Sequence, residues 1–421
     1  MKIAFLLGSA HVGGGTYVIF QHALFLARSG WDVTIVTLDP IPSGQTLWHP
    51  EAHAELRYRT HAEVVDEVFD VAIATWWRTA YRLHLIKARS YQYFVQSIES
   101  RFFEDWDLAA RWYAEATYTM QLPVITEASW IKEYLTSRFG SSVHMAINGI
   151  RKDIYRPEGE TVAPRDPNRL RVLVEGPLRV FFKNVERTIE LCKKSHADEI
   201  WLLTSSSDCT NYPGIDRTFS CIPIAEVASV YRSCDVIVKL SHVEGMFGPP
   251  LEMFHCGGTA VVYQVTGHEE YIVEGVNAIV LPKDDEEGVI AAINDFKRYP
   301  EKLRQLKSNA LKTAASWPDW SEASKNFRDG IIKNVPLACE TQESLRAKDE
   351  VFSGWYDGHL GVQSSLHTIA PQFEAAKRES ENFRSTSATL ELILNSRSFR
   401  FMQRLRGLGA TKFAQSLFRG S

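Results

Sequence analysis

The feature that most restricts what this chain can fold into is a rhythm of short apolar runs and amphipathic stretches that stops once and restarts. "KIAFLL" (2–7) runs into the glycine-rich "GSAHVGGG" (8–15), the helical "TYVIFQHALFLARSG" (16–30) and a second apolar run, "DVTIVTL" (32–38). Gly30 supplies the helix stop. Strand, glycine loop, helix and parallel strand within about 40 residues is a βαβ unit, because parallel neighbours need a crossover that covers the sheet. "VFDVAIAT" (68–75), "YQYFVQ" (91–96) and "PVITEA" (123–128) read as further strands of the same sheet. An Asn148-Gly149 turn, then Pro157 and Gly159, end the pattern, and residues 155–168 read as a linker rich in proline and charge.

After the linker the rhythm returns. Strands are predicted at "RLRVLVEG" (169–176), "EIWLLTSS" (199–206), "DVIVKLS" (235–241), "TAVVYQ" (259–264) and "NAIVLP" (277–282). Helices are predicted at "VERTIELCKKS" (185–195), "PIAEVASVYRSC" (223–234), "PLEMFHCGG" (250–258) and "DEEGVIAAINDFKRYP" (285–300). The fold class is therefore α/β, with two tandem Rossmann-like doubly wound domains, residues 1–158 and 168–335. A helical, basic extension, residues 336–421, follows. No internal sequence repeat is visible, so the two halves share architecture rather than sequence.

A net charge of −4 provides no basic field for a polynucleotide, so nucleic acid is not an expected partner. Cys192, Cys209, Cys221, Cys234, Cys256 and Cys339 contain no C-x-x-C pair, which suits reduced cytosolic thiols. The apolar run Ile3–Leu7 is too short for a signal or a membrane span, and no later run reaches about 18 residues. The expected location is cytoplasmic, or peripheral on the inner membrane face. Residues 377–421 hold nine Lys/Arg against three Glu, and "LELILNSRSFRFMQRLRGLG" (390–409) spaces apolar and basic residues as a helix does. Such a helix suits an anionic membrane surface or a protein partner, and the pattern leaves both open.

The segment "HVEGMFGPPLEMFHCGG" (242–258) carries the densest chemistry. Glu244 follows a buried strand at the carboxyl end of a sheet, where open α/β sheets bind ligands. Gly245 and Gly248 let backbone approach a ligand, Pro249 and Pro250 suit a first helical turn, and Glu252 is placed in that turn beside free N–H groups. A glutamate there also serves as a plain helix cap. The backbone N–H groups of Met246, Phe247 and Gly248 are expected to face an anion or hydroxyl, and two carboxylates suit the vicinal hydroxyls of a sugar. Gly13, Gly14 and Gly15 before a helix start make an anion pocket or a tight turn; with no lysine after them they are not a Walker loop.

E-x7-E, here "EGMFGPPLE" (244–252), is similar to the signature of retaining glycosyltransferases of the two-domain GT-B type, family 4. The resemblance spans roughly residues 1–330. It includes the run from Pro223 to Gln264 and the segment "AINGIRKDIYRP" (146–157), while "YFVQSIES" (93–100) looks most like bacterial rhamnosyltransferases of surface polysaccharide synthesis. It implies a nucleoside-diphosphate sugar as donor and a glycan or lipid-linked hydroxyl as acceptor. Glu252 would take the nucleotide ribose and Glu244 the transferred sugar, with backbone from Gly245 to Gly248 on its hydroxyls. Arg179 and Lys183 of "GPLRVFFKN" (176–184) would meet the diphosphate, although Pro177 and Phe181–Phe182 depart from the family pattern. Gly13–Gly15 would lie across the cleft, and "ASWPDWSEASKNFRDGII" (315–332) would cross back to brace the first domain. Candidates on the acceptor side are His11 and Glu99, each otherwise structural. Trp76, Trp77 and Trp106 are expected in the core or stacked on sugar. No resident cofactor or metal is implied, since no His/Asp cluster has metal spacing. A non-catalytic binding subunit and a sugar-nucleotide epimerase remain alternatives of the same fold.

Overall fold

The structure is a computed structural model that describes residues 1–209 and 211–395. It forms two compact units, Met1–Ser353 and Gly354–Ser421, and the first holds both sheets.

The first sheet contains β1 (Lys2–Leu7), β2 (Asp32–Thr37), β3 (Arg57–Thr60), β4 (Val68–Ala74), β5 (Lys87–Val95), β6 (Val124–Thr126) and β7 (Val143–Met145). Its order is β3-β2-β1-β4-β5-β6-β7, and every pair is parallel. The second contains β8 (Arg171–Glu175), β9 (Glu199–Thr204), β10 (Arg217–Ser220), β11 (Val236–Lys239), β12 (Thr259–Tyr263) and β13 (Ile279–Leu281). Its order is β10-β9-β8-β11-β12-β13, again all parallel. Helices cover both faces, so central strands such as β11 are buried at every residue, which is why they read as unbroken apolar runs. In each sheet the order reverses once, between β1 and β4 and between β8 and β11. Loops leaving the strand ends there diverge and open a crevice.

The expected doubly wound sheets and helical C-terminal region are thus the ones found. Three strands absent from the sequence reading, β3, β7 and β10, are short, partly exposed and at or next to a sheet edge, where no apolar run is needed. The linker is pinned rather than free: Arg165 donates to the carbonyls of Tyr231, Cys234, Cys256 and Gly257. The first unit also runs past residue 335. Asp349, early in the helix Gln342–Asn395, accepts from Arg82 and His84 at 2.7 and 2.8 Å. Of the basic segment expected at 390–409, residues 396–409 lie outside the described residues. Among the described residues no helix is long and apolar enough to cross a membrane, and all six cysteines are unpaired.

The helix Trp320–Asn334 does return to the first sheet. Its Trp320, Ala323, Phe327 and Ile331 join Ile3, Phe5, Phe94 and Ile125 in one core. Phe327 stacks on the His22 ring (4.0 Å between centroids, 7° apart) and meets Phe94 edge-on at 4.9 Å. The His22 ring, wholly buried, is pushed down to a pKa of about 3 by loss of hydration, so it packs as a neutral ring. We expect Phe327→Ala to lower unfolding free energy by about 3–5 kcal/mol, as a vacated aromatic site does. Ile332→Ala, on the exposed side of the same helix, should cost under about 0.5 kcal/mol in the same denaturant titration.

Candidate active site

The crevices of both sheets face one another in a single cleft of about 770 Å³, within the size range of small-ligand sites. Its walls are strand ends and the loops after them: Gly8–Ser9 and Val12–Thr16 after β1, Thr75–Trp76 after β4, Gln96 and Glu99 after β5, Glu175 at the end of β8, and Lys239 with Val243–Met246 after β11. Two aromatic rings from opposite domains, Phe102 and Phe182, stack across it at 4.9 Å and 14°. The phenylalanine that departs from the family pattern therefore has a place, closing the cleft.

Register dictates the charge arrangement. Val174 pairs with Val238, so Glu175 and Lys239, the last residues of neighbouring strands, emerge side by side. Lys239 Nζ lies 2.5 Å from Glu175 Oε2 and 3.8 Å from Glu244 Oε1, and is almost wholly buried. Lys183 approaches from the turn after β8 and donates to Glu244 Oε2 at 2.8 Å. Burial alone would raise the Glu244 pKa, yet the two lysines outweigh it and hold the group below the usual carboxylate range. Lys239, which burial would deprotonate, is kept charged by Glu175 and then Glu244. Lys239 was not singled out in the sequence because it sits inside an apolar strand pattern.

Glu252 lines the cleft as expected, but not from the first turn of its helix. The helix begins at Gly248 with both prolines in its first turn, which makes Glu252 its fifth residue and leaves that turn without an acid. Its carboxyl reaches Tyr231 and Tyr155 instead of free N–H groups; burial first, then Glu175, push it up to about 7, against the tyrosine hydroxyls. The loop backbone also differs from expectation. Met246 N–H donates to Glu127 Oε1 (3.2 Å) and Gly248 N–H to the Met246 carbonyl (2.9 Å), while Phe247 is buried and outside the cleft wall.

The opposing wall is glycine and carboxyl. Gly13, Gly14 and Gly15 line it, open the helix Gly14–Arg28, and carry no side-chain cap, so N–H groups at the positive helix end face the cleft. Glu99 lines it too: Trp77 N–H (2.7 Å) and Tyr93 OH (3.1 Å) both donate to its Oε2. Burial outweighs these two donors and pushes Glu99 up to about 8. Glu127, unnoticed in the sequence, is pushed up to about 7 by burial, opposed by Asn148 and the Met246 N–H. Trp76 faces the cleft, Trp77 is core and Trp106 is exposed. Two candidates are not brought in. His11 is exposed outside the wall, its N–H donating to Ser9 Oγ. Arg179, also exposed and outside the wall, pairs with Asp208, and its backbone is left-handed at φ 61°. Among the described residues no group of three or more His, Cys, Asp or Glu has a metal-holding arrangement.

Residues 218–313, which contain the Glu244–Glu252 segment, match the family model described as glycosyl transferases group 1. The chain is 26% identical over 356 residues to the O-antigen biosynthesis protein RfbC of Myxococcus xanthus, a match that covers 78% of this chain and 26% of that protein. The chain thus spans about a quarter of the length of that relative. Among solved structures, Anabaena Alr3699/HepE in complex with UDP-glucose superposes with a TM-score of 0.65 at 15% identity, over 79% of this chain and 100% of that one. Sucrose-phosphate synthase from Thermosynechococcus elongatus gives 0.62 at 16%, over 79% and 98%. These likenesses show the fold: the two sheets are those of the GT-B architecture.

The buried acids set a pH dependence. Between the ordinary glutamate range and about pH 8 the folded chain keeps a proton on Glu99 that the unfolded chain has released. Stability therefore falls as pH rises through that window. We expect the melting temperature of the wild type to drop between pH 5 and 8, and that of Glu99→Gln to drop less; parallel curves would contradict the assignment.

Proposed function

We propose that this chain is a retaining glycosyltransferase that moves a hexose or deoxyhexose from a nucleoside-diphosphate sugar to a hydroxyl of a glycan or lipid-linked acceptor, in polysaccharide or glycoconjugate synthesis. The observation that carries the reading is the Lys183–Glu244–Lys239 cluster, held at the switch point of one sheet and facing the glycine loop at the switch point of the other. The group 1 match over 218–313, the UDP-glucose named with the HepE structure and the O-antigen role named for the Myxococcus protein support it. A rhamnosyl donor, suggested by "YFVQSIES", is the favoured sugar. Action at the inner membrane face through the basic C-terminal segment belongs to the same reading.

In this account Glu252 receives the ribose hydroxyls and Glu244 the hydroxyls of the transferred sugar. Lys183 has two N–H bonds left after Glu244 and directs them at the diphosphate; the Gly13–Gly15 helix end faces it from across the cleft. As the bond from the sugar C1 to the β-phosphate oxygen breaks, negative charge grows on the leaving diphosphate, where these donors stabilise it. The acceptor hydroxyl bonds to C1 from the same face and passes its proton to the departing phosphate oxygen. Closure of the cleft keeps out water that would otherwise take the sugar. Glu99, protonated at neutral pH, faces this space as a hydrogen-bond donor for the acceptor.

The test is a thermal-shift panel of nucleoside diphosphates and nucleotide sugars on the wild type and Glu252→Ala. A ligand at 100 times its Kd adds about 2.7 kcal/mol, well within the reach of a melting curve. One base should stabilise the wild type and lose its effect in the variant. A panel in which nothing shifts the wild type refutes the donor site and favours a binding subunit.

A further inference from the structure

One peptide group of the Glu244 loop is gripped at both polar ends by the first domain. The Gly245 carbonyl accepts the Trp130 indole N–H at 3.0 Å. The N–H of that same peptide, on Met246, donates to Glu127 Oε1 at 3.2 Å. The second oxygen of Glu127 accepts Asn148 Nδ2–H at 2.9 Å, and the Asn148 carbonyl accepts the Trp317 indole N–H at 2.8 Å, so the grip is tied into the connection between the domains. The approach is tight. A Cβ at position 245 would lie 2.0 Å from the Gln96 carbonyl oxygen, and one at Gly267 would lie 2.0 Å from the Gly245 carbonyl oxygen.

Sealing this contact did not require a carboxylate. Burying one costs free energy unless it is hydrogen-bonded, and an apolar side chain would fill the space without that cost. What Glu127 adds is direction: one oxygen fixes the loop and the other fixes the inter-domain segment. The residue next to the gripped peptide is Glu244, whose own partners, Lys183 and Lys239, come from the second domain alone. Thr266 of the second domain also donates to the Glu244 carbonyl at 3.1 Å, so the second domain holds this residue while the first grips the peptide that follows it.

We propose that Glu127 and Trp130 are positioning residues: when the cleft is closed they set the Glu244 carboxylate where the transferred sugar requires it. The proposal rests on the glycosyltransferase reading above. It separates two steps. A nucleoside diphosphate meets Lys183 and Glu252 on the second domain and binds without the grip, whereas sugar transfer needs it.

Three variants test this. Glu127→Leu removes both acceptors, and Trp130→Phe removes the donor to Gly245. Glu127→Gln keeps the Met246 bond, and its NH2 finds Asn148 Oδ1, which has no partner, once that amide turns over. We expect amide exchange at Met246 to speed up roughly tenfold in Glu127→Leu and Trp130→Phe, and to stay near wild type in Glu127→Gln. Affinity for the stabilising nucleoside diphosphate should hold in all three. Transfer should fall by about 10- to 100-fold in the first two and recover in Glu127→Gln. Unchanged Met246 exchange in Glu127→Leu overturns the proposal, as does loss of diphosphate affinity in step with transfer, which would mark a general structural defect. If Glu127→Leu does not fold, Trp130→Phe against Glu127→Gln makes the same comparison. A wild type that binds no nucleoside diphosphate refutes the transferase reading instead, while the exchange data still decide whether the grip exists.

Discussion

The buried charge cluster of Glu175, Lys239, Glu244 and Lys183 is the interaction on which the rest of the cleft depends. A lone ion at the buried positions of Lys239 and Glu244 would cost several kcal/mol in lost hydration, and removing one partner leaves the other uncompensated. The cluster exists because β8 and β11 are neighbours in register, which delivers an acid and a base to the same strand ends. With Lys239 neutralised from both sides, Glu244 stays ionised at 6% exposure, and Lys183, less deeply buried, keeps donors for a ligand. A ligand entering here meets a fixed electrostatic framework rather than one it must assemble.

The two walls differ in kind. The second domain presents the ion pairs together with Glu252, which burial pushes up to about 7; the first presents glycine backbone, a helix end and two carboxyl groups that burial also pushes up. The walls are held together at the Phe102–Phe182 stack, at the gripped Gly245–Met246 peptide and at the Ser129–Glu270 contact. The helix Trp320–Asn334 carries the chain back into the first core, so closure joins domains that the chain already links twice.

Much of this was legible in the sequence because it depends on local pattern. Apolar runs mark the central strands, glycines mark the loops at the switch points, and the spacing from Glu244 to Glu252 marks one wall of the cleft. What was not legible depends on distance or on fine geometry. Lys239 hides in a strand that reads as core, and only the register with β8 reveals its partner. Glu127 acts on a peptide 119 residues away. Glu252 is the fifth residue of its helix rather than the third, because the helix starts at Gly248, two residues before the predicted Pro250. The resemblance pairs Arg179 with Lys183, with a weaker match at Arg179, and in the structure Arg179 has a left-handed backbone and pairs with Asp208 instead. Edge strands such as β3 lack the apolar signal because one side of them meets solvent.

We propose that the charge cluster receives a diphosphate. Calorimetric titration of the wild type with a nucleoside diphosphate and the monophosphate of the same base tests it most directly. We expect the diphosphate to bind at least about tenfold tighter, the worth of one charge-assisted hydrogen bond, and Lys183→Ala to abolish the difference. Equal affinities for the two nucleotides, or a preference that survives the loss of Lys183, would contradict it.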